Sequence, residues 1–140
     1  KIESHLDFDL DLAKQKSQEN PVYYLQYAHA RIASLLKFAE RPVSREASVA
    51  LLTTVEETAV IKHISEFPKV LVRVSETLEP YHLSDYLRDL AASFHKFYSF
   101  HRVVTENEEL TKARLLLADA TRVVLRNGLT LLGISHPDSM

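Results

Sequence analysis

The pattern of apolar and polar residues along this chain is that of successive amphipathic helices. Apolar residues recur every three or four positions over most of the 140 residues, which is the spacing of one buried helix face. Because the connections between these stretches are short, the pattern predicts an all-α protein, an antiparallel bundle of five or six helices. The predicted helices cover residues 20–40, 44–52, 54–67, 68–78, 80–103 and 107–127.

Residues 1–19 differ from the rest because apolar and acidic residues alternate there. Leu10 and Leu12 alternate with Asp9 and Asp11, for example, and the alternation begins upstream of them. A period of two is typical of a strand or an extended segment. No partner strand is evident, so we expect residues 1–19 to be a lead-in and residues 20–140 to form the helical domain.

Capping and breaking residues set the predicted helix ends. Asn20 followed by Pro21 is typical of an N-cap and a first helical position. Thr54 and Glu57 have the spacing of a capping box. Pro68 is expected in the first turn of a new helix, and Gly128 is expected to stop the last long helix, leaving residues 129–134 as a short apolar tail.

Composition excludes several classes of protein. The chain has two glycines, which disfavours a fold rich in tight hairpins. It has no cysteine, which excludes disulfides and thiolate sites and fits a reducing compartment. No apolar run approaches the length of a membrane span, and the first residues do not form a signal peptide. We therefore expect a cytoplasmic protein that does not insert into membranes.

No catalytic or metal-binding constellation is evident. The seven histidines include no pair spaced by four, so a helical zinc site is not indicated. Gly128 and Gly133 lie outside any phosphate-binding loop, and no Gly-x-Ser-x-Gly element occurs. We therefore expect no catalytic residue, no metal site and no cofactor in these residues.

The first predicted helix carries candidate binding residues on one face. Tyr24, Tyr27 and Arg31 are spaced by three and four, so they share that face. Tyrosine rings can stack on unpaired bases and arginine can pair with phosphates. This face is therefore a candidate RNA-binding surface.

The same spacing also fits a purely structural interpretation. In that case the tyrosines are buried and their hydroxyls bind Gln26 or His29. Tyr23 lies off the shared face and is expected in the core. Spacing alone leaves both interpretations open, so a helical protein-interaction or structural module is the alternative function.

The predicted helix 80–103 carries a second candidate face. Arg88, His95 and Arg102 are spaced by seven, and Tyr98 flanks that line. The opposite stripe is apolar and is expected in the core. Basic and aromatic residues together favour an RNA-facing surface, although an ordinary solvated face has the same pattern.

The predicted helix 107–127 is apolar on most sides, with arginines as the exceptions. Asp119 and Arg122 are spaced for an ion pair between residues i and i+3. Arg114 and Arg126 fit structural ion pairs as well as they fit ligand contacts.

Two long segments, residues 20–31 and 113–134, resemble the arginyl-tRNA synthetase family. Residues 119–122, Asp-Ala-Thr-Arg, resemble the Asp-Ala-Leu-Arg element after which one domain of that family is named, with Thr121 in place of leucine. The resemblance implies the all-α anticodon-binding domain of a class I synthetase. The parent enzyme joins arginine to tRNA(Arg) with ATP and Mg²⁺.

The resemblance also implies roles for individual residues. Tyr27 and His95 are further candidates from their spacing, and Ser139 stands where the family usually has arginine before its final residue. The implied anticodon-loop contacts are Tyr24, Arg31, Tyr98, Arg102 and Met140.

The catalytic signatures of class I synthetases, His-x-Gly-His and a Lys-Met-Ser-Lys-Ser-like loop, are absent from the sequence. We therefore expect a fragment that is inactive alone, joined through residues 1–19 to a catalytic domain that uses the ATP and Mg²⁺. Its expected partners are the tRNA(Arg) anticodon stem-loop and that domain, and we expect a monomer. The helical domain of a related synthetase, such as the cysteinyl type, is a further alternative.

Overall fold

The computed structural model describes residues 9–17 and 19–140, and within these it is helical with no strand. The predicted all-α class is confirmed. A single 3₁₀ turn, Val49–Leu51, precedes the second long helix. The α-helices are α1 (Leu10–Lys14), α2 (Pro21–Phe38), α3 (Val55–Thr77), α4 (Tyr81–Phe100) and α5 (Glu108–Leu131).

The described residues form four long helices rather than five or six, partly because Pro68 does not interrupt α3. A proline inside a helix loses one backbone hydrogen bond and costs about 3 kcal/mol. Ile64 and Leu71, on either side of it, both pack against the core. Burial on both sides therefore outweighs the local cost, and the helices predicted over 54–67 and 68–78 are one.

The helix predicted over residues 44–52 is also wrong, because only the 3₁₀ turn Val49–Leu51 forms there. Ser44 accepts a hydrogen bond from the Glu46 N–H (3.3 Å) and begins a turn instead. Val49 and Leu51 are exposed, while Leu52 is buried. A short helix is marginal without a buried face, so this segment remains irregular.

The predicted extended lead-in is wrong for the part that the structure describes. Leu10–Lys14 is helical, and the Asp9 carboxylate accepts a hydrogen bond from the Asp11 N–H (2.9 Å). An aspartate just before a helix stabilises the helix N-terminus in this way. The cap therefore favours a helix where the alternating pattern predicts an extended segment. Residues 6–8, where the alternation begins, lie outside the described residues.

The two predicted helix caps, at Asn20 and Thr54, are confirmed. The Asn20 side chain accepts hydrogen bonds from the Val22 and Tyr23 N–H groups, and a proline occupies the first helical position. Thr54 and Glu57 form the reciprocal bonds of a capping box. These caps depend only on nearby residues, which is why the sequence predicts them well.

Gly128 does not end the last helix, which continues to Leu131. The left-handed glycine is Gly133, at φ 72°. A Cβ atom built on Gly128 would lie 2.5 Å from Leu87 Cδ2. Gly128 therefore leaves no room for a side chain between α5 and the Leu87 side chain of α4. The buried Leu129 belongs to the helix, not to a tail.

Successive long helices run in opposite directions, as predicted. Phe67 near the middle of α3 stacks on Tyr86 near the start of α4, at 5.7 Å between ring centroids, and Glu56 at the start of α3 lies 3.1 Å from His101 just after α4. As a result α2 and α4 are parallel neighbours, with Tyr24 beside His95. The predicted apolar stripe of α4 is fully buried and lies at the centre of the core: Leu83, Leu87, Leu90, Phe94 and Phe97.

Charged residues of α5 form several ion pairs, and two of these involve arginines that the sequence analysis singles out. The predicted pair of Asp119 and Arg122 is confirmed, at 2.7 Å between carboxylate and guanidinium. Arg114 is buried and pairs with the fully buried Glu57 of α3, also at 2.7 Å.

None of the helices in the described part of the chain is long and apolar enough to cross a membrane.

Candidate nucleic-acid interface

The seam between α2 and α4 brings five of the predicted residues together. We call Tyr24, Tyr27, Arg31, His95 and Tyr98 the seam cluster. The His95 ring centroid lies 5.5 Å from that of Tyr24 and 6.1 Å from that of Tyr27. The two predicted faces, one on each helix, are therefore a single continuous surface.

Arg31 joins the two helices at this surface. Its guanidinium carbon lies 4.6 Å from the centre of the Tyr98 ring and 5.9 Å from that of Tyr27. Both distances are within the range of a cation–π interaction. Among the described residues, no carboxylate forms an ion pair with Arg31. Its positive charge is therefore positioned by aromatic rings and not neutralised by an acid.

His95 packs its ring against Tyr24 and Tyr27, and its ring nitrogens are not exposed to solvent. Both ring nitrogens are buried, and neither has a hydrogen-bond partner among the described residues. Burial lowers the pKa of His95, and the nearby positive charge of Arg31 lowers it further. The imidazole is therefore neutral near pH 7, and this position adds packing instead of the basic charge expected from the sequence.

The tyrosines of α2 differ in their depth. Tyr24 packs against the core, and burial raises the pKa of its hydroxyl. Tyr23 was expected in the core but is only half-buried and lies outside the core cluster. It stacks on Tyr27 with ring centroids 6.5 Å apart. The exposed aromatic surface therefore includes Tyr23.

The structural interpretation requires Gln26 or His29 to bind the tyrosine hydroxyls. Both residues bind the segment 135–137 instead. The Gln26 amide donates to the Ser135 carbonyl (2.9 Å) and contacts its hydroxyl (2.8 Å). His29 Nδ1 lies 3.0 Å from the Pro137 carbonyl. Burial lowers the pKa of His29, although this hydrogen bond opposes the shift. Both residues hold the segment 135–137 against α2.

Met140 follows that segment, and the groove that it lines contains none of the five seam-cluster residues. Met140 lines a groove of about 450 Å³ together with Lys14, Lys16 and Tyr23. Because Tyr23 also stacks on Tyr27, this groove adjoins one end of the cluster. The predicted RNA contact at Met140 stays a prediction. Basic and aromatic side chains surround Met140 in this groove.

Arg102 lies beyond the end of α4, because that helix stops at Phe100 and not near Val103. It is exposed and lines a groove of about 440 Å³ that Tyr98 also lines. Its backbone carbonyl accepts a hydrogen bond from the buried Arg114 (2.7 Å). Arg88, His95 and Arg102 therefore do not form one basic face. Arg102 lies outside α4, and Arg88 pairs with Asp85 at 3.0 Å.

The sequence does not predict two features near this surface, a pair of exposed aromatic side chains and a buried ion pair. Phe38 and Phe100 are strongly exposed and flank the groove that Arg102 lines. Glu57 and Arg114 are 57 positions apart, so no local spacing indicates their pairing.

Within the described residues, no group of three or more His, Asp and Glu side chains is arranged to hold a metal ion.

The fold is one that solved arginyl-tRNA synthetases contain. The chain matches the arginyl-tRNA synthetase of Thermus thermophilus with a TM-score of 0.83 and 32% identity, over 96% of this chain and 24% of that one. It matches the enzyme of Plasmodium falciparum with a TM-score of 0.78 and 27% identity, over 95% and 23%.

The chain belongs to the DALR anticodon binding domain family, whose model matches residues 25–140. Among similar proteins, the arginine–tRNA ligase of Carboxydothermus hydrogenoformans is 49% identical over 143 residues, 99% of this chain. That of Dehalococcoides mccartyi strain BAV1 is 50% identical over 140 residues, again 99% of this chain. The chain spans about a quarter of the length of these relatives, 26% and 25%.

Proposed function

We propose that this chain recognises the anticodon loop of tRNA(Arg) as part of an arginine–tRNA ligase. Family membership and the names of its relatives support the proposal. The observation that carries it furthest is the placement of the Arg31 guanidinium over Tyr98, which unites the α2 and α4 faces into one aromatic and cationic surface. We expect the protein to act in the cytoplasm as a monomer.

Recognition would use two kinds of contact. Unpaired bases of the loop stack on the exposed tyrosine faces, and Arg31 binds a backbone phosphate. Base–aromatic stacking contributes about 1–3 kcal/mol per base. The low pKa of His95 keeps the support beneath the tyrosines neutral, so the charge at the surface comes from arginine.

The ligase reaction itself requires ATP and Mg²⁺, and the described residues do not fit either. They include no cluster of potential metal ligands, and the two glycines of the chain form no phosphate-binding loop. We propose that ATP and Mg²⁺ act elsewhere in the ligase and that this chain contributes tRNA binding.

Titration of the protein with the anticodon stem-loop of tRNA(Arg) tests the proposal. Tyr24→Ala should weaken binding by about 5- to 150-fold, the equivalent of one lost base stack. Tyr24→Phe keeps the ring and should bind within about threefold of the wild type. Thermal unfolding of each variant separates a binding defect from a folding defect, because Tyr24 also packs on the core.

The salt dependence of binding tests the role of Arg31. Each phosphate contact to a single strand contributes about 0.7 to the slope of log K against log salt, so Arg31→Gln should reduce the slope by about that amount. Arg73→Gln is the matched control, because Arg73 is exposed on α3, which does not border α2. Equal slopes for both variants would remove Arg31 from the site, and a wild type that does not bind the stem-loop would favour a protein-interaction module.

A further inference from the structure

A second aromatic groove lies at the carboxyl ends of α2 and α4. Phe38 is 82% exposed and Phe100 is 69% exposed, although most large aromatic side chains of a globular protein are largely buried. The groove between them has a volume of about 440 Å³, and Leu35 and Tyr98 also line it. Its size is within the range of small-molecule pockets.

The groove continues the seam cluster. Because α2 and α4 are parallel, their contacts follow in order: Tyr24 with His95, then Arg31 with Tyr98, then the groove of Phe38 and Phe100. Tyr98 takes part in both the cluster and the groove. Fourteen residues of helix separate Tyr24 from Phe38, a rise of about 21 Å. This length is sufficient for several stacked or splayed nucleotides of one strand.

The charge at the groove favours a nucleic acid over an apolar partner. Arg102 is exposed at its edge and, among the described residues, forms no ion pair. His101, also at the groove, lies 3.1 Å from the Glu56 carboxylate, so that acid is already engaged. Arg102 therefore places one unpaired cationic side chain beside two exposed rings.

We propose that the Phe38–Phe100 groove binds one further unpaired nucleobase of the RNA strand that crosses the seam cluster, with a phosphate of that nucleotide at Arg102. The proposal rests on the proposed function. The buried Arg114 holds the Arg102 carbonyl at 2.7 Å. The loop that carries the phosphate contact is thus fixed relative to α5.

Anticodon stem-loops with 2-aminopurine at successive loop positions provide the test, because this fluorescent base is quenched when it stacks. Phe38→Ala should weaken binding by about 5- to 150-fold and should relieve quenching at one loop position. Phe38→Trp should retain both affinity and quenching. Val72→Ala is the control, since Val72 is 55% exposed on α3, and it should bind like the wild type.

The outcomes separate this proposal from the one on which it rests. If Tyr24→Ala weakens binding but Phe38→Ala and Phe100→Ala change neither affinity nor fluorescence, the groove is not a base site and the proposed function stands. If Phe38→Leu behaves like the wild type, the groove needs only apolar bulk, and base stacking is refuted. If the wild type does not bind the stem-loop, both proposals fail.

Discussion

The buried pair of Glu57 and Arg114 provides a sharp test of the energetics of this fold. The Arg114 Nε atom donates to the Glu57 carboxylate at 2.7 Å, and the two residues are 8% and 0% exposed. The other carboxylate oxygen accepts the Thr54 N–H at 2.9 Å. A second Arg114 nitrogen donates to the Arg102 carbonyl. One pair therefore connects α3, α5 and the loop after α4.

Arg114→Met should destabilise the protein by about 3–5 kcal/mol at pH 7, because it leaves a buried carboxylate without its partner. The double variant Glu57→Gln/Arg114→Met should lose less than the two single variants together, by about 0.5–3 kcal/mol. Glu57→Gln also weakens the Thr54 cap. Arg114→Met leaves that cap intact, so it measures the pair more directly.

The pH dependence of the effect has a definite sign. Burial raises the pKa of Glu57, but hydrogen bonds from Thr54 and Arg114 outweigh it and hold the pKa below its ordinary value. The wild type therefore keeps this stabilisation above about pH 4.3 and loses it as the pH falls further. In Arg114→Met the hydrogen bonds from Thr54 remain but the one from Arg114 is lost. The pKa of Glu57 is therefore higher in the variant than in the wild type, and its carboxylate protonates more readily as the pH falls. The stability difference between wild type and variant should narrow between pH 7 and pH 4.

Urea unfolding followed by circular dichroism at several pH values measures this difference. Arg122→Met is the matched control, because its pair with Asp119 is partly exposed and also measures 2.7 Å. An i,i+3 pair of that kind contributes about 0.2–0.5 kcal/mol. The reasoning is refuted if Arg114→Met loses no more stability than Arg122→Met, or if its loss is the same at pH 4 and pH 7.

Two further predictions concern the contact of α4 with α5 and the hydrogen bonds that hold the segment 134–140. Gly128→Ala places a Cβ atom against the buried Leu87 side chain, so overpacking of about 1–3 kcal/mol should exceed the gain of about 1 kcal/mol in helix propensity. Urea unfolding should show a net loss, and this loss should be smaller when Gly128→Ala is made in a Leu87→Ala background; a net gain would mean that the Leu87 side chain moves aside at little cost. Gln26→Leu removes the hydrogen bonds to Ser135, so limited proteolysis within residues 134–140 should accelerate about 5-fold or more, given about 0.5–1.5 kcal/mol per bond; an unchanged rate would show that His29 alone holds the segment.

The features that the sequence predicts correctly are local. The caps at Asn20 and Thr54 and the pair of Asp119 and Arg122 each involve residues within one helical turn. The predicted helix ends at Pro68 and Gly128 are wrong because a helix breaker acts through local preference, whereas packing against other helices decides whether the helix continues. Such packing cannot be read from the residues around the breaker.

The candidate site shows the same division. The spacing of Tyr24, Tyr27 and Arg31 correctly places them on one side of α2, because helical periodicity is local. The position of Arg31 over Tyr98 depends on how two helices pack, and the family resemblance, not the spacing, suggested that the two faces cooperate. The exposure of Phe38 depends on where α2 ends relative to α4, which no sequence pattern specified.

The candidate binding surface and the hydrophobic core share side chains. Tyr98 stacks on the buried Phe94 with ring centroids 6.1 Å apart, and Tyr24 packs against the core as well. Rings supported in this way are held in position before a ligand arrives, which lowers the entropy lost on binding. The same support means that removing either ring changes stability and affinity together. Tyr27 and Arg31 lie outside the core cluster, so substitutions there should report on RNA binding with the least change in folding.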